Sequence, residues 1–220
     1  MFIVRQGEPK AAVIIPADAG DELKTAAREL IRVVRASTGA RLPLRRAGSK
    51  DDDGASIRLV IDPKLARTPA GHLPPSDAVR IDCAGRTVEI AAGRERAVAY
   101  GVYELLERAV GARWFWPGKL GEDIPERTNV SIPRGRKTYR PSFDWRSLSG
   151  ADRSDFGTKI KSQRYPVAGG GHAYHRLLPP KLFDTQPELF SEIYGKRRRK
   201  PTQICHAAPG MVDRAMAYIE

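Results

Sequence analysis

The sequence has little cysteine and no long hydrophobic run, and both absences exclude whole classes of protein. Only two cysteines, Cys83 and Cys205, occur in 220 residues, and neither has a C-x-x-C partner, which argues against zinc-ribbon and dithiol chemistry. Isolated cysteines of this kind usually behave as small buried hydrophobes. No stretch of about 18 apolar residues is present, so no membrane-spanning helix is predicted. The N-terminus turns polar after four residues and does not have the pattern of a signal peptide.

Recognisable catalytic motifs are also missing. The run Gly169–Gly171 is not followed by the Lys-Ser/Thr pair of a phosphate-binding loop. Three adjacent aspartates at 51–53 do not have the spaced oxygens of a calcium loop. Hydrolysis of a glycosidic bond usually requires two positioned carboxylates. The carboxylates of the second half that precede the C-terminal segment form no convincing pair: Asp144, Asp152, Asp155, Asp184, Glu188 and Glu192. We therefore assign no catalytic residue, no metal and no cofactor from the sequence.

Positive charge, in contrast, is abundant and unevenly distributed. The chain has 38 Lys+Arg against 26 Asp+Glu, a formal net charge of +12. Residues 131–220 have 17 Lys+Arg and only 8 Asp+Glu. Such an excess can indicate a nucleic-acid or anion-binding half. The basic turn at 196–200 could contact nucleic acid or be solvated surface, and the latter is more typical of a bare charge run. Neither a nucleic acid nor a membrane is the expected partner.

Periodicity predicts a first domain of the α+β class, with two helices on one face of a sheet. Apolar residues recur at helical spacing from residue 19 to 38, and Gly39 follows as a stop signal. Residues 78–82 and 87–91 alternate like the two strands of a hairpin. We place this domain at 1–132. The basic, proline-flanked stretch 133–141 has the composition of a linker, and a second domain is expected at 142–220.

The stretch 93–125 contains a second amphipathic helix followed by three consecutive aromatics. Gly111 is expected to end the helix in the left-handed conformation. Trp114 and Trp116 have two interpretations: an inter-domain or core anchor, or a platform on which a sugar ring stacks. The sequence alone leaves both open.

Two histidines in a glycine-rich loop are the most suggestive polar feature of the second half. His172 and His175 are three residues apart; zinc would need a third protein ligand. Polar contacts to a hydroxyl-rich ligand fit better, because imidazole both donates and accepts. An ordinary flexible loop is the alternative. Arg146, after the predicted strand 142–146, could bind a sugar hydroxyl or carboxylate, or could be an exposed arginine.

Several motifs resemble the N-terminal domain of the α-glucuronidase type of glycoside hydrolase, followed by a barrel-like domain found in uncharacterised proteins linked to carbohydrate hydrolysis. The first resemblance is carried by A-A-V-I-I-P-A-D-A, Y-G-V-Y-E-L-L-E-R-A-V-G-A-R-W-F-W-P-G and P-S-F-D-W-R. G-G-H-A-Y-H and L-F-D-T-Q-P-E-L-F-S-E-I-Y-G-K-R are similar to the opening of the second domain. The resemblance extends over nearly the whole chain.

This resemblance implies an N-domain of the hexosaminidase/α-glucuronidase kind and then the first β/α units of a truncated (β/α) barrel. Barrel sites lie at the C-terminal ends of the strands, so Arg146, His172 and His175 would line a saccharide pocket, with Trp145 as a stacking surface. The catalytic carboxylates of such a barrel would come from later strands, so the chain alone is expected to be inactive. The resemblance also suggests export of a full-length protein. A non-catalytic carbohydrate-binding protein is the main alternative, and a basic nucleic-acid-binding protein is the second.

Overall fold

A computed structural model gives the fold of residues 1–49, 54–66, 76–143, 145–148, 155–163, 174–199 and 203–219. The chain forms two compact units, Met1–Tyr165 and Pro166–Glu220. Each unit is described by itself.

The first unit contains eleven strands and three α-helices among its described residues. In chain order they are β1 (Phe2–Arg5), β2 (Glu8–Pro9), β3 (Ala12–Ile15), α1 (Asp21–Thr38), β4 (Leu44–Arg46), β5 (Ser56–Ile61), β6 (Val79–Ala84), β7 (Thr87–Ala92), α2 (Glu95–Leu105), β8 (Arg113–Trp114), β9 (Glu122–Asp123), β10 (Val130–Ser131), β11 (Gly135–Tyr139) and α3 (Asp155–Lys159). A π-helical turn, Leu106–Val110, continues α2, and short 3-10 turns occupy Pro63–Ala66 and Lys119–Gly121.

A six-stranded mixed sheet with the order β11-β6-β7-β5-β3-β4 is the centre of this unit. Strands β4, β3, β5 and β7 run parallel to one another, whereas β6 is antiparallel to both β7 and β11. The predicted hairpin is β6–β7, whose turn contains Gly85 at φ +55°. Smaller pairings join β10-β1-β2 and β8-β9. The mixed α+β architecture agrees with the expected fold class.

Strand register explains which face of the sheet packs against the helices. Val13, Ile57 and Val88 lie in one row across the sheet and are fully buried. The adjacent row, on the opposite face, places Arg58 between Glu89 and the buried Ile14. Because side chains alternate between faces along a strand, the apolar row faces the helices and the charged row does not.

Helices α1 and α2 pack side by side on the apolar face, as the sequence predicts. Helix α1 buries a stripe that includes Leu23, Leu30 and Val34. It ends at Gly39, whose φ of +75° is the left-handed conformation that glycine adopts at little cost. The Glu95 carboxylate of α2 accepts the backbone N–H of Gly20 at 2.6 Å, which joins the two helix starts.

Residues 133–141 differ from the linker that their composition predicts. Gly135–Tyr139 form β11, which pairs with β6 over five residues at one edge of the main sheet. The physical reason is that an edge strand needs few apolar side chains, and charged residues are typical of such edges. The predicted domain boundary at 141/142 also differs from the compact units, since the first continues to Tyr165.

The second unit is small. It contains α4 (Tyr174–Leu177), β12 (Glu192–Ile193), β13 (Lys196–Arg197) and α5 (Met211–Ile219), with 3-10 turns at Pro180–Asp184 and Pro187–Leu189. Its core is formed by Leu178, Leu189, Phe190, Ile204, Ala208 and Met211. Strands β12 and β13 form the predicted basic hairpin. The described residues of 142–219 contain no parallel strand pair, so they do not confirm the expected opening of a barrel. Within the described ranges, no helix has both the length and the apolarity to cross a membrane.

Candidate functional site

A buried charge cluster of the first unit is centred on Asp77, two residues before β6. Only 2% of its side chain is exposed. Its Oδ1 accepts hydrogen bonds from Nε of Arg94 at 3.0 Å and from Nη2 of the same residue. Its Oδ2 accepts one from Nη2 of Arg146 at 2.7 Å. We call these three residues the Asp77 centre. A buried carboxylate with two guanidinium partners satisfies the rule that buried charge must be paired.

Arg146, predicted to contact a sugar, is held by the protein itself. Besides Asp77, its Nε donates to the Lys161 carbonyl at 2.9 Å and its Nη1 to the Phe143 carbonyl at 2.6 Å. Its backbone exchanges both hydrogen bonds with Gln163 in an isolated antiparallel bridge. The guanidinium thus fixes the position of the segment to which it belongs. A direct contact between Arg146 and a saccharide remains a prediction.

A buried tyrosine supports the same cluster from α2. The guanidinium of Arg146 lies over the Tyr100 ring, 5.8 Å from its centroid. The Tyr100 hydroxyl accepts from Arg96 Nε at 2.9 Å and lies within hydrogen-bonding distance of the Ser162 carbonyl and the Gln163 side chain. Burial raises the pKa of Tyr100, although Arg96 acts in the opposite direction. The hydroxyl therefore stays protonated and serves as a donor at neutral pH.

Two further ion-pair clusters join residues 155–163 to the rest of the first unit. Glu122 accepts from Lys159 Nζ at 2.6 Å and from the guanidinium of Arg32. Burial would raise the pKa of Glu122, but the hydrogen bonds from Lys159 and Arg32 outweigh it and hold the pKa at about 2. Lys161, which is nine-tenths buried, pairs with Glu107 at 2.7 Å and Glu104 at 3.3 Å. These contacts explain why the first unit extends beyond residue 141.

The segment fixed by Arg146 presents an aromatic side chain to solvent. Trp145 is 46% exposed, and Phe143 and Leu148 are more exposed still. The Asp77 centre therefore holds the backbone of residues 145 and 146 while the indole ring remains accessible. Binding sites for small ligands combine such apolar surfaces with a few convergent polar groups.

Only two of the four predicted site residues can be compared directly. Trp145 and Arg146 are adjacent, one accessible and one anchored. His172 lies outside the described residues, and His175 is the second residue of α4, in the second unit. The grouping of all four around one saccharide stays a prediction.

The Trp-Phe-Trp motif divides its aromatics between core and surface. Trp114 is buried, packs edge-on against Tyr103 with ring centroids 5.1 Å apart, and donates from Nε1 to Glu122 at 3.1 Å. Trp116 is 54% exposed and Phe115 is also exposed. Trp114 is therefore a core residue, which agrees with the first of the two interpretations of this motif. Trp116 provides a second accessible indole for comparison with Trp145.

Two arginines of the basic run in the second unit contact other residues of that unit. Arg197 donates from Nη1 to the carbonyls of Glu188 and Phe190. Arg199 pairs with Asp184 and lies over the Phe183 ring. These contacts favour a structural role for part of the run over the nucleic-acid alternative. Across the described ranges no group of three or more His, Cys, Asp or Glu is arranged to hold a metal ion.

Sequence reasoning missed two of the three residues that build the Asp77 centre, Asp77 and Arg94. Asp77 follows a proline-rich loop and Arg94 directly precedes α2, so each looks like an ordinary polar flank. Arg146 and Asp77 are 69 positions apart. No local pattern signals a pair at that separation, and only the register of Arg146 opposite Gln163 brings it into reach.

Comparisons with known proteins give structural neighbours only. No family model matches the chain, and no curated protein sequence matches it significantly. Among solved structures, it is similar to a GH20 β-N-acetylhexosaminidase from Streptomyces coelicolor A3(2), with 20% identity, a TM-score of 0.44 and coverage of 65% of this chain and 24% of that one. It is also similar to a family GH115 4-O-methyl-α-glucuronidase with specificity for decorated arabinogalactans, at 13% identity, a TM-score of 0.46 and coverage of 82% and 24%.

A third neighbour is a mutant Streptomyces plicatus β-hexosaminidase in complex with GlcNAc, at 25% identity and a TM-score of 0.39, with coverage of 60% and 23%. The chain spans about a quarter of the length of these three proteins.

Proposed function

We propose that the chain is part of a carbohydrate-active protein, a relative of the glycoside hydrolases that acts on polysaccharide-derived sugars, including those that contain uronic acids. Its own contribution is saccharide binding. The observation that carries this proposal is the accessible Trp145 next to an arginine fixed by a buried carboxylate. The resemblance of several motifs to α-glucuronidase N-domains adds support.

The chemistry of the proposed site follows from its side chains. A pyranose ring presents an apolar face of C–H groups, and an indole ring offers a large, rigid apolar surface with one polar end. Because residue 146 is held through Asp77, the indole of Trp145 is attached to a constrained backbone, which reduces the entropy lost on binding. His172 and His175 are the proposed donors and acceptors for sugar hydroxyls. The catalytic carboxylates are not among the residues we assign, so we expect binding without hydrolysis by this chain.

The proposal is tested by isothermal titration calorimetry of the whole chain with neutral and with uronic-acid oligosaccharides. Trp145→Ala should weaken the affinity about tenfold, which corresponds to ~1.4 kcal/mol. Trp116→Ala is the matched control, since it removes another half-exposed indole of the same unit and should leave the affinity unchanged. His172→Ala and His175→Ala should weaken binding as well.

Two outcomes would count against saccharide binding at this place. Equal losses in both tryptophan variants would mean that the indole at 145 has no special role. Absence of binding to every neutral and acidic oligosaccharide tested would remove the proposed function.

A further inference from the structure

An open groove of about 700 Å³ lies in the first unit between the end of α2 and the edge strand β11. Its apolar lining includes Ile81, Cys83, Leu105 and Ile132. Strand β11 extends the sheet past the end of α2. Residues of the stretch 104–109 line one side of the groove, and no residue of α1 lines it. Its volume is in the range of ordinary ligand pockets.

Cations dominate the rim of the groove. Its charged lining residues are Arg108, Arg113, Arg134, Arg136, Lys137 and Arg140, against Glu104 and Glu107. Both glutamates already pair with Lys161, and Glu104 also accepts from Arg108. The groove therefore has a marked excess of positive charge over its acidic groups.

Three of these cations are free to meet a ligand. Arg134, Lys137 and Arg140 are exposed, and none of them forms an ion pair with any residue in the part of the chain that the structure describes. Arg136, in contrast, pairs with Asp82 at 2.6 Å. Unpaired arginine and lysine side chains around a concave surface attract anions, and guanidinium groups bind carboxylates through two parallel hydrogen bonds.

Protection of a sheet edge is the simpler explanation of basic residues on β11, since charged edges prevent edge-to-edge pairing. That explanation accounts for residues on the strand. It does not account for Arg108 and Arg113, which line the opposite side of the same groove, nor for the apolar floor between the two sides.

We propose that this groove binds an anionic oligosaccharide, with carboxylate or sulfate groups on the cationic rim and the apolar faces of the sugar rings on the floor. The inference rests on the proposed function and specifies its substrate class. A saccharide of this kind combines negative charge, hydroxyl groups and apolar ring faces, which are the three surfaces that the groove complements. An acidic peptide shares only the charge, and binding to it is one of the outcomes of the test.

The test measures binding of the whole chain to an oligomer of galacturonic acid, to its neutral methyl ester and to polyglutamate, each at two salt concentrations. The variant is Lys137→Gln with Arg140→Gln. The matched control is Lys196→Gln with Arg198→Gln, which removes the same charge from two exposed positions, one on β13 and one directly after it. All four positions are exposed, so unchanged urea midpoints should confirm folding.

We expect the groove variant to bind the acidic oligomer at least tenfold more weakly, and the control variant to lose less than twofold. Equal losses of affinity in the two variants would mean that binding depends only on the net charge of the protein, and would overturn the proposal. Equal binding of polyglutamate and the galacturonic acid oligomer at the groove would also overturn it, in favour of an acidic peptide site.

The result also separates this inference from the proposed function. If neutral oligosaccharides bind through Trp145 while the groove variant behaves like wild type with the acidic oligomer, only the anionic groove is refuted. If no saccharide binds at all, both proposals fail together.

Discussion

Removing the buried carboxylate of the Asp77 centre should destabilise the first unit strongly. Asp77→Ala leaves two guanidinium groups without their common partner, and loss of one partner of a buried ion pair typically costs about 3–5 kcal/mol. Arg94 and Arg146 are 26% and 18% exposed, so water can hydrate each charge in part. We therefore expect the lower end of that range, about 3 kcal/mol.

The assay is urea unfolding followed by tryptophan fluorescence. All three tryptophans belong to the first unit, so the signal reports on that unit alone. Asp82→Ala is the matched control because its partner, Arg136, is 67% exposed; surface pairs of this kind contribute about 0.2–1 kcal/mol. Asp77→Asn, which keeps the shape and removes the charge, should resemble Asp77→Ala.

A local measurement distinguishes the Asp77 centre from a general packing effect. Amide exchange at residues 145–148 should accelerate more in Asp77→Ala than exchange in α1, because the segment loses the ion pair that holds Arg146. The reasoning would be refuted if Asp77→Ala and Asp82→Ala lowered the free energy of unfolding by the same amount.

The remaining predictions concern packing and pH. Gly101→Ala should cost about 1–3 kcal/mol, because a Cβ there would lie 2.6 Å from Ile90 Cγ2 and closer still to Val79; a loss below 0.5 kcal/mol by urea unfolding would contradict this close approach. Glu122 has a folded pKa of about 2, below its usual 4.5, so its contribution to stability is complete above about pH 4.5 and is lost as the pH falls towards 2. Glu122→Gln should accordingly flatten the fall in the urea midpoint over that interval, and identical pH profiles for the two proteins would exclude the effect.

Local sequence signals were sufficient for the elements whose stability is local. Helix α1 was expected from residue 19 to 38 and occupies Asp21–Thr38, with Gly39 in the left-handed conformation. The β6–β7 hairpin and the helix stop at Gly111, with φ +91°, also follow the prediction. Each of these features depends on hydrophobic periodicity and on glycines that lie within a few residues of it in the sequence.

Long-range pairing was the part that no sequence pattern could supply. The sequence predicted a solvated linker at β11 because the strand is rich in charge and the strand with which it pairs, β6, lies more than 50 positions earlier. Residues 155–163 are joined to the rest of the first unit through Lys161 and Gln163. Lys161 pairs with Glu107 of the π-helical turn, and Gln163 contacts Tyr100 of α2. Such contacts have no local signature, so the domain boundary could not be located from composition.

The candidate site was only partly predicted, again because long-range contacts have no local signature. Trp145 and Arg146 were selected as saccharide contacts, and the structure adds that Arg146 is anchored by Asp77 while Trp145 is accessible. The basic groove was not anticipated, because its two sides come from α2 and β11 and meet only in the folded sheet.

Hydrogen–deuterium exchange of the whole chain, with and without saturating oligosaccharide, tests the central claim most directly. The account predicts slower exchange at residues 145–148 with a neutral sugar, and additional slowing across Gly135–Tyr139 with an acidic one. Slowing confined to the β12–β13 hairpin, or none with either sugar, would contradict it.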